Sequence, residues 1–176
     1  MLDEKRIKEA ENNIKQFLAD NSIWKYKEFK EEILETYKHN YQESIDTAQK
    51  LFDQNLSNLW IIVISYYSMY YVANAVLYKI GYKIGATATH KITEEALIVF
   101  VRNKLKKELL EEYKEAKEEA LEIIGRKTDE IIASFHQEMK KRSVLQYEST
   151  EDIKKTKAQT SLERAKVFIF EMKKLL

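Results

Sequence analysis

LSNLWIIVISYYSMYYVANAVLY, running from Leu56 to Tyr78, decides the fold. No Asp, Glu, Lys or Arg occurs between Gln54 and Tyr78, in a chain of 176 residues that is 34% charged. The rest of the sequence reads as charged amphipathic helix, which needs an apolar surface to cover, and this stretch is the one on offer. It is long enough to cross a bilayer. Ser57, Asn58, Ser65, Ser68 and Asn74 interrupt it, however, and its tyrosines run through the middle instead of gathering at the ends as interfacial anchors do. The expectation is a buried helix of a soluble protein with no membrane partner.

Working outward, the totals point the same way. The chain has no Pro, and its three Gly are Gly81, Gly85 and Gly125. An all-β chain needs many turns, so this composition favours long helices with few connections. The predicted class is all-α: an up-and-down antiparallel helical bundle in a single domain, residues 1–176. Absence of cysteine removes any disulfide framework or thiol nucleophile, and with it the need for an oxidising compartment. The segment MLDEKRIKEAENN has no apolar signal-peptide core, so the expected location is cytoplasmic. Thirty basic against twenty-nine acidic residues leave a net charge of +1, so no global field draws the chain to nucleic acid.

Upstream, Ile7, Ile14, Phe17 and Leu18 trace a first helix, with Asp20-Asn21-Ser22 as a break. Steps of three and four from Tyr26 through Phe29, Ile33, Tyr37, Tyr41, Ile45, Ala48 and Phe52 predict a second. The central helix carries a narrow stripe of Ser65, Ser68, Val72 and Ala75, and a broader one of Trp60, Val63, Tyr67, Tyr70, Asn74 and Leu77. Tyr67, Tyr70, Tyr71 and Asn74 read as a core face with hydroxyls satisfied at its edge; the alternative is a dimer face or base-stacking platform. Gly81 is placed to close the helix, and 81–89 reads as a loop. Thr89 is expected to cap a heavily buried helix that begins at His90-Lys91. Residues 102–124 read as a long charged helix, an insertion projecting from the body, with Leu105, Leu109, Tyr113, Ala116 and Ala120 on one face. Gly125 is expected to break it, and Thr128 to start another helix bearing Ile131, Phe135 and Met139. Ser149-Thr150-Glu151-Asp152 resembles a capping box for the last helix, whose stripe is Leu162, Ala165, Ile169, Met172 and Leu176.

Chemistry is sparse. His39, His90 and His136 have no metal-ligand spacing, and three isolated glycines make no phosphate loop, so neither metal nor cofactor is expected.

SYYSMYYVANAVLYKIGY, followed by THK and the run IVFV, resembles the HEPN family, whose central helix typically reads AYYAMFHAARALL. FHQEMKKRSVLQYES is similar to that family's penultimate-helix motif. Between them the matches span roughly residues 45–173, within a core of about 26–176. The resemblance implies a helical bundle that dimerises and works beside a separate minimal nucleotidyltransferase chain, often as a toxin–antitoxin pair. Catalytic members are metal-independent ribonucleases with an Arg-x4-6-His motif, and a partner nucleotidyltransferase can modify a tyrosine next to it. Arg142 aligns with the family arginine. Five residues on, where a ribonuclease carries His, stands Tyr147, and a phenol near pKa 10 is a poor general base at neutral pH.

The implied candidates for nucleotide or RNA contact are therefore Arg142, Lys140, Lys141, Tyr147, His90 and Lys91, with Tyr147 also a modification candidate and no catalytic residue. Arg142 has an equally plain structural reading, its stem packing while its head pairs with a carboxylate. The leading expectation is a non-catalytic binding module that dimerises and holds a nucleotidyltransferase. One alternative is a degenerate ribonuclease that borrows His90 or His136; another is a purely structural helical protein.

Overall fold

The computed structural model describes the backbone of residues 2–137 and 151–176, and the side chains of 2–125 and 154–176. Six α-helices dominate: α1 (Glu4–Ala19), α2 (Glu31–Asp53), α3 (Asn58–Lys79), α4 (Thr89–Phe100), α5 (Lys107–Gln137) and α6 (Glu151–Lys173). A 3-10 turn at Arg102–Lys104 joins α4 to α5. Two short strands, β1 (Ile23–Lys25) and β2 (Tyr82–Ile84), pair antiparallel with Ile23 opposite Ile84 and Lys25 opposite Tyr82. The chain is an all-α helical bundle.

The uncharged stretch is its axis. Ser57 accepts the Trp60 N–H at the start of α3, and Gly81, at φ +106°, closes its end in a conformation that strains any L side chain. Ile61, Met69, Val72, Ala73, Val76 and Leu77 are fully or almost fully buried, as is the small stripe Ser65, Ser68, Val72 and Ala75. Although Asn58–Lys79 is long and apolar enough to cross a membrane, 67% of that window is buried by the rest of the protein.

Around this axis α2 and α5 run opposite to α3, and α6 runs with it. The start of α2 meets the end of α3, where Leu34 packs with Ala75 and Tyr78. α6 runs beside α3 in the same sense: Lys155 bonds Asn55 at 2.9 Å at one end, and Leu176 joins Leu34 and Tyr78 at the other. α5 opposes α6, with Glu115 bonding Arg164 at 3.1 Å and Glu119 bonding Ser161 at 3.4 Å.

Several expectations about elements are corrected. The second helix begins at Glu31, not Tyr26: Tyr26 extends the ladder instead, its N–H donating to the Gly81 carbonyl. Tyr26 and Phe29 instead lay their rings on Tyr78, whose hydroxyl accepts the Lys30 N–H. The 81–89 loop contains a strand. Thr89 lies inside α4 and does not cap it; Ala88, in the left-handed region at φ +50°, reverses the chain there without a side-chain cap. The charged helix does not project: Leu109, Leu110, Tyr113, Ala116 and Ala120 are buried in the core. Nor does Gly125 end it, since α5 continues to Gln137 and the break expected before Thr128 is absent. One exposed glycine costs a helix only about 1 kcal/mol, which the packed face upstream outweighs.

Candidate functional site

α3 gathers tyrosines where α4 begins. Tyr66, Tyr70 and Asn74 are four residues apart and share a stripe, with Tyr67 and Tyr71 on the next. His90, in the first turn of α4, lowers its ring among them. Its centroid lies 4.8 Å from Tyr70, 5.5 Å from Tyr66 and 5.7 Å from Tyr67. The tyrosines also touch one another, Tyr67 with Tyr71 at 6.1 Å and Tyr70 with Tyr71 at 5.5 Å, in tilted and edge-on arrangements that aromatic quadrupoles favour. Tyr67, Tyr70, Tyr71 and His90 are all half-buried, so this is the rim of the core turned to solvent.

Hydrogen bonds fix the site from beneath. His90 Nδ1 and Tyr66 Oη are 2.7 Å apart, while Nε2 has no hydrogen-bond partner among the described residues. Burial, and secondarily the positive charge of Lys117, lowers the His90 pKa and keeps the ring neutral at pH 7. Burial pushes the Tyr66 and Tyr113 hydroxyls above the ordinary phenol value. The rings of these two tyrosines are 5.9 Å apart and their hydroxyls interact, yet Tyr113 Oη is fully buried without a partner in good hydrogen-bonding geometry. Asn74 donates to the Tyr70 carbonyl at 2.8 Å and to Thr93 Oγ1 at 3.3 Å; Thr93 in turn donates to the Thr89 carbonyl. Asn74 is thus an interior strut that ties α4 to α3.

A second polar cluster lies one turn further along α4. Glu94 and Glu95 are buried, and Arg6 of α1 spans them, Nη2 to Glu94 at 3.0 Å and Nη1 to Glu95 at 2.7 Å. Lys117 of α5 donates to Glu94, and Asn13 donates to Glu95 at 3.1 Å. Burial alone would raise the Glu94 pKa, but the bonds from Lys117 and Arg6 outweigh it and lower the value. A cavity of about 390 Å³ opens beside this clamp, lined by Arg6, Glu94, Glu111, Lys114, Glu115 and Glu118 among others.

Of the residues singled out from sequence, the structure brings together His90, Tyr67, Tyr70, Tyr71 and Asn74. Lys91 turns away, its ammonium 5.9 Å from the Phe17 ring centroid on α1. Arg142, Lys140, Lys141 and Tyr147 lie outside the described residues, as does the His136 side chain. Sequence reasoning placed Tyr113 on the apolar face of its helix but not beneath this site, and missed Tyr66, Lys117 and the Arg6–Glu94–Glu95 clamp. The signal available was the pair Glu94-Glu95 set between Ile92 and the apolar run Ala96-Leu97-Ile98, two acids in the half of α4 that is expected to be buried.

The arrangement can present a neutral imidazole, one nitrogen held and the other open, framed by three amphipathic rings: a surface that grips a planar or apolar group and offers it one hydrogen bond. Among the described residues no cluster of three or more His, Cys, Asp and Glu could hold a metal ion. Comparison with protein-family models, with curated proteins and with solved structures finds no match.

Proposed function

We propose that the chain is a non-catalytic, cytoplasmic binding module of the HEPN type. It works as a homodimer and holds a separate minimal nucleotidyltransferase chain, with a nucleotide or RNA segment as the accompanying ligand. The observation that carries this reading is the half-buried face of Tyr67, Tyr70, Tyr71 and His90. It departs from a core helix only on this side, and tyrosines of this kind supply large contact area at low entropic cost. Support also comes from the resemblance of SYYSMYYVANAVLY and its following THK to the family, and from Tyr147 standing where a ribonuclease carries His.

The test is co-expression with a minimal nucleotidyltransferase chain, followed by capture and intact mass. Capture that is lost in Tyr67→Arg and Tyr71→Arg, with the fold intact by circular dichroism, supports the module. A nucleotidyl mass gain that vanishes in Tyr147→Phe adds the modification. Indifference of the two chains to each other overturns the partner.

The open Nε2 of a neutral His90 favours one competing reading, the degenerate ribonuclease, because a neutral imidazole is the form that accepts a proton. RNA cleavage by the lone chain, abolished by both Arg142→Ala and His90→Ala, would establish that activity instead.

A further inference from the structure

α6 has two faces. Ala158, Leu162, Ala165, Phe168 and Met172 are buried, while on the opposite side Val167 is 51% and Phe170 64% exposed. Glu163, Val167, Phe170 and Lys174 follow one another at steps of four, three and four, forming a single line along the outer surface. Phe170 is held as a knob, with the Lys174 ammonium 4.4 Å from its ring centroid. Beside Val167 lies a groove of about 460 Å³ between α6 and α5, lined by Thr160, Glu163, Val167 and Glu112 among others.

This line is complementary to its own reverse. Read forward it runs acid, apolar, apolar, base; an antiparallel copy presents base, apolar, apolar, acid. With a two-fold axis level with the peptide between Phe168 and Ile169, Phe170 of the partner subunit rests on Val167 and the edge of the groove. Lys174 of the partner subunit then meets Glu163 at a groove that Glu112 and Arg164 also line, and the second copy repeats both contacts. The two charges exchange the exposed bonds they make within their own chain, Glu163 with Lys166 at 3.0 Å and Lys174 with Glu171 at 2.6 Å. Each protomer offers one knob and one groove, which is the condition for a closed isologous pair. A parallel copy in register would set Glu163 against Glu163 and Lys174 against Lys174.

We propose that the outer face of α6 is a homodimer surface, joined antiparallel through Val167 and Phe170 and set in register by Glu163 and Lys174. It supplies the two-fold contact that the binding-module reading requires and rests on that reading in nothing else. Two apolar side chains per protomer put the contact at or below the small end of the roughly 1,200–2,000 Å² typical of specific interfaces, so the dimer is weak and reversible.

Sedimentation equilibrium of the full chain over a concentration series decides it. The expected result is a reversible monomer–dimer equilibrium that Phe170→Asp abolishes while circular dichroism and the melting midpoint stay unchanged, because this side chain points outward. Glu163→Lys and Lys174→Glu each weaken association by about tenfold or more, and the double variant restores it to within about threefold of the original. A monomer at every concentration, a dimer indifferent to Phe170→Asp, or a double variant no better than the single ones overturns the proposal. Nucleotidyltransferase capture is read separately through Tyr67 and Tyr71, so the two failures are distinguishable: a chain that is monomeric at every concentration removes the homodimer from both readings, whereas a dimer indifferent to Phe170→Asp removes only this surface.

Discussion

At the scale of single residues, His90 makes the sharpest prediction. Its pKa is lowered in the folded chain, first by burial and then by Lys117, with the Arg6-bound Glu94 as the nearby opposing charge. The unfolded chain therefore takes up this proton first as pH falls. The stabilising difference is complete above the ordinary histidine value of about 6.5, shrinks as pH drops through it, and levels off below the folded pKa. In thermal melts from about pH 7 to about pH 5, the midpoint of the original protein should fall more than that of His90→Phe; parallel curves would show that His90 is not held neutral. Its neighbours make a paired prediction. Tyr66→Phe strips His90 Nδ1 of its partner and should cost about 1 kcal/mol in denaturant unfolding. Tyr113→Phe removes a fully buried hydroxyl without a well-formed hydrogen bond and should be neutral or stabilising. A loss at Tyr113 equal to that at Tyr66 would point to a bridging water between them.

At the scale of elements, α5 is the instructive helix. Gly125 is exposed within it, and a Cβ built there meets nothing within 4 Å. Gly125→Ala should therefore stabilise the protein by about 0.5–1 kcal/mol through helix propensity and the entropy of the unfolded chain. An unchanged or lowered denaturation midpoint would mean that the helix is not continuous at that point. The same residue shows where sequence reading stopped. A glycine between charged segments looks like punctuation, and only the apolar face from Leu109 to Ala120, packed on α3 and α6, reveals that the helix has reason to continue. The central helix was legible because its signal is local: twenty-five residues without charge from Gln54 to Tyr78, with Ser57 and Gly81 marking the helix ends. The β ladder was not, because three residues at each strand give no periodicity and their partner lies over fifty positions away. At the site, the tyrosine spacing and His90 could be read off α3 and the start of α4. The clamp was legible only in part: Glu94-Glu95 stand against an apolar run, but nothing local distinguishes Arg6 and Lys117 from the solvated charges around them.

At the scale of the molecule, that clamp decides how the N-terminal helix belongs to the bundle. α1 buries Ala10 and Ile14, packs Phe17 against the core, and is tied down by Arg6, Asn13 and Glu11, the last bonding Arg102 at 3.2 Å. Glu95→Ala leaves Arg6 and Asn13 without that carboxylate and should cost about 3 kcal/mol, most of it appearing as release of α1 in hydrogen exchange. A change under about 0.5 kcal/mol would show α1 to be held by its apolar residues instead. The ladder has a mechanical consequence. Ile23 and Ile84 are paired at the end where the chain enters and leaves the loop that contains α2 and α3. Tension transmitted along the chain from either side meets the two strands at the same end, so it peels them apart one rung at a time instead of shearing them together. The helical hairpin is thus fastened like a zip with its tab facing outward: secure against thermal jostling, and easily opened by a pull.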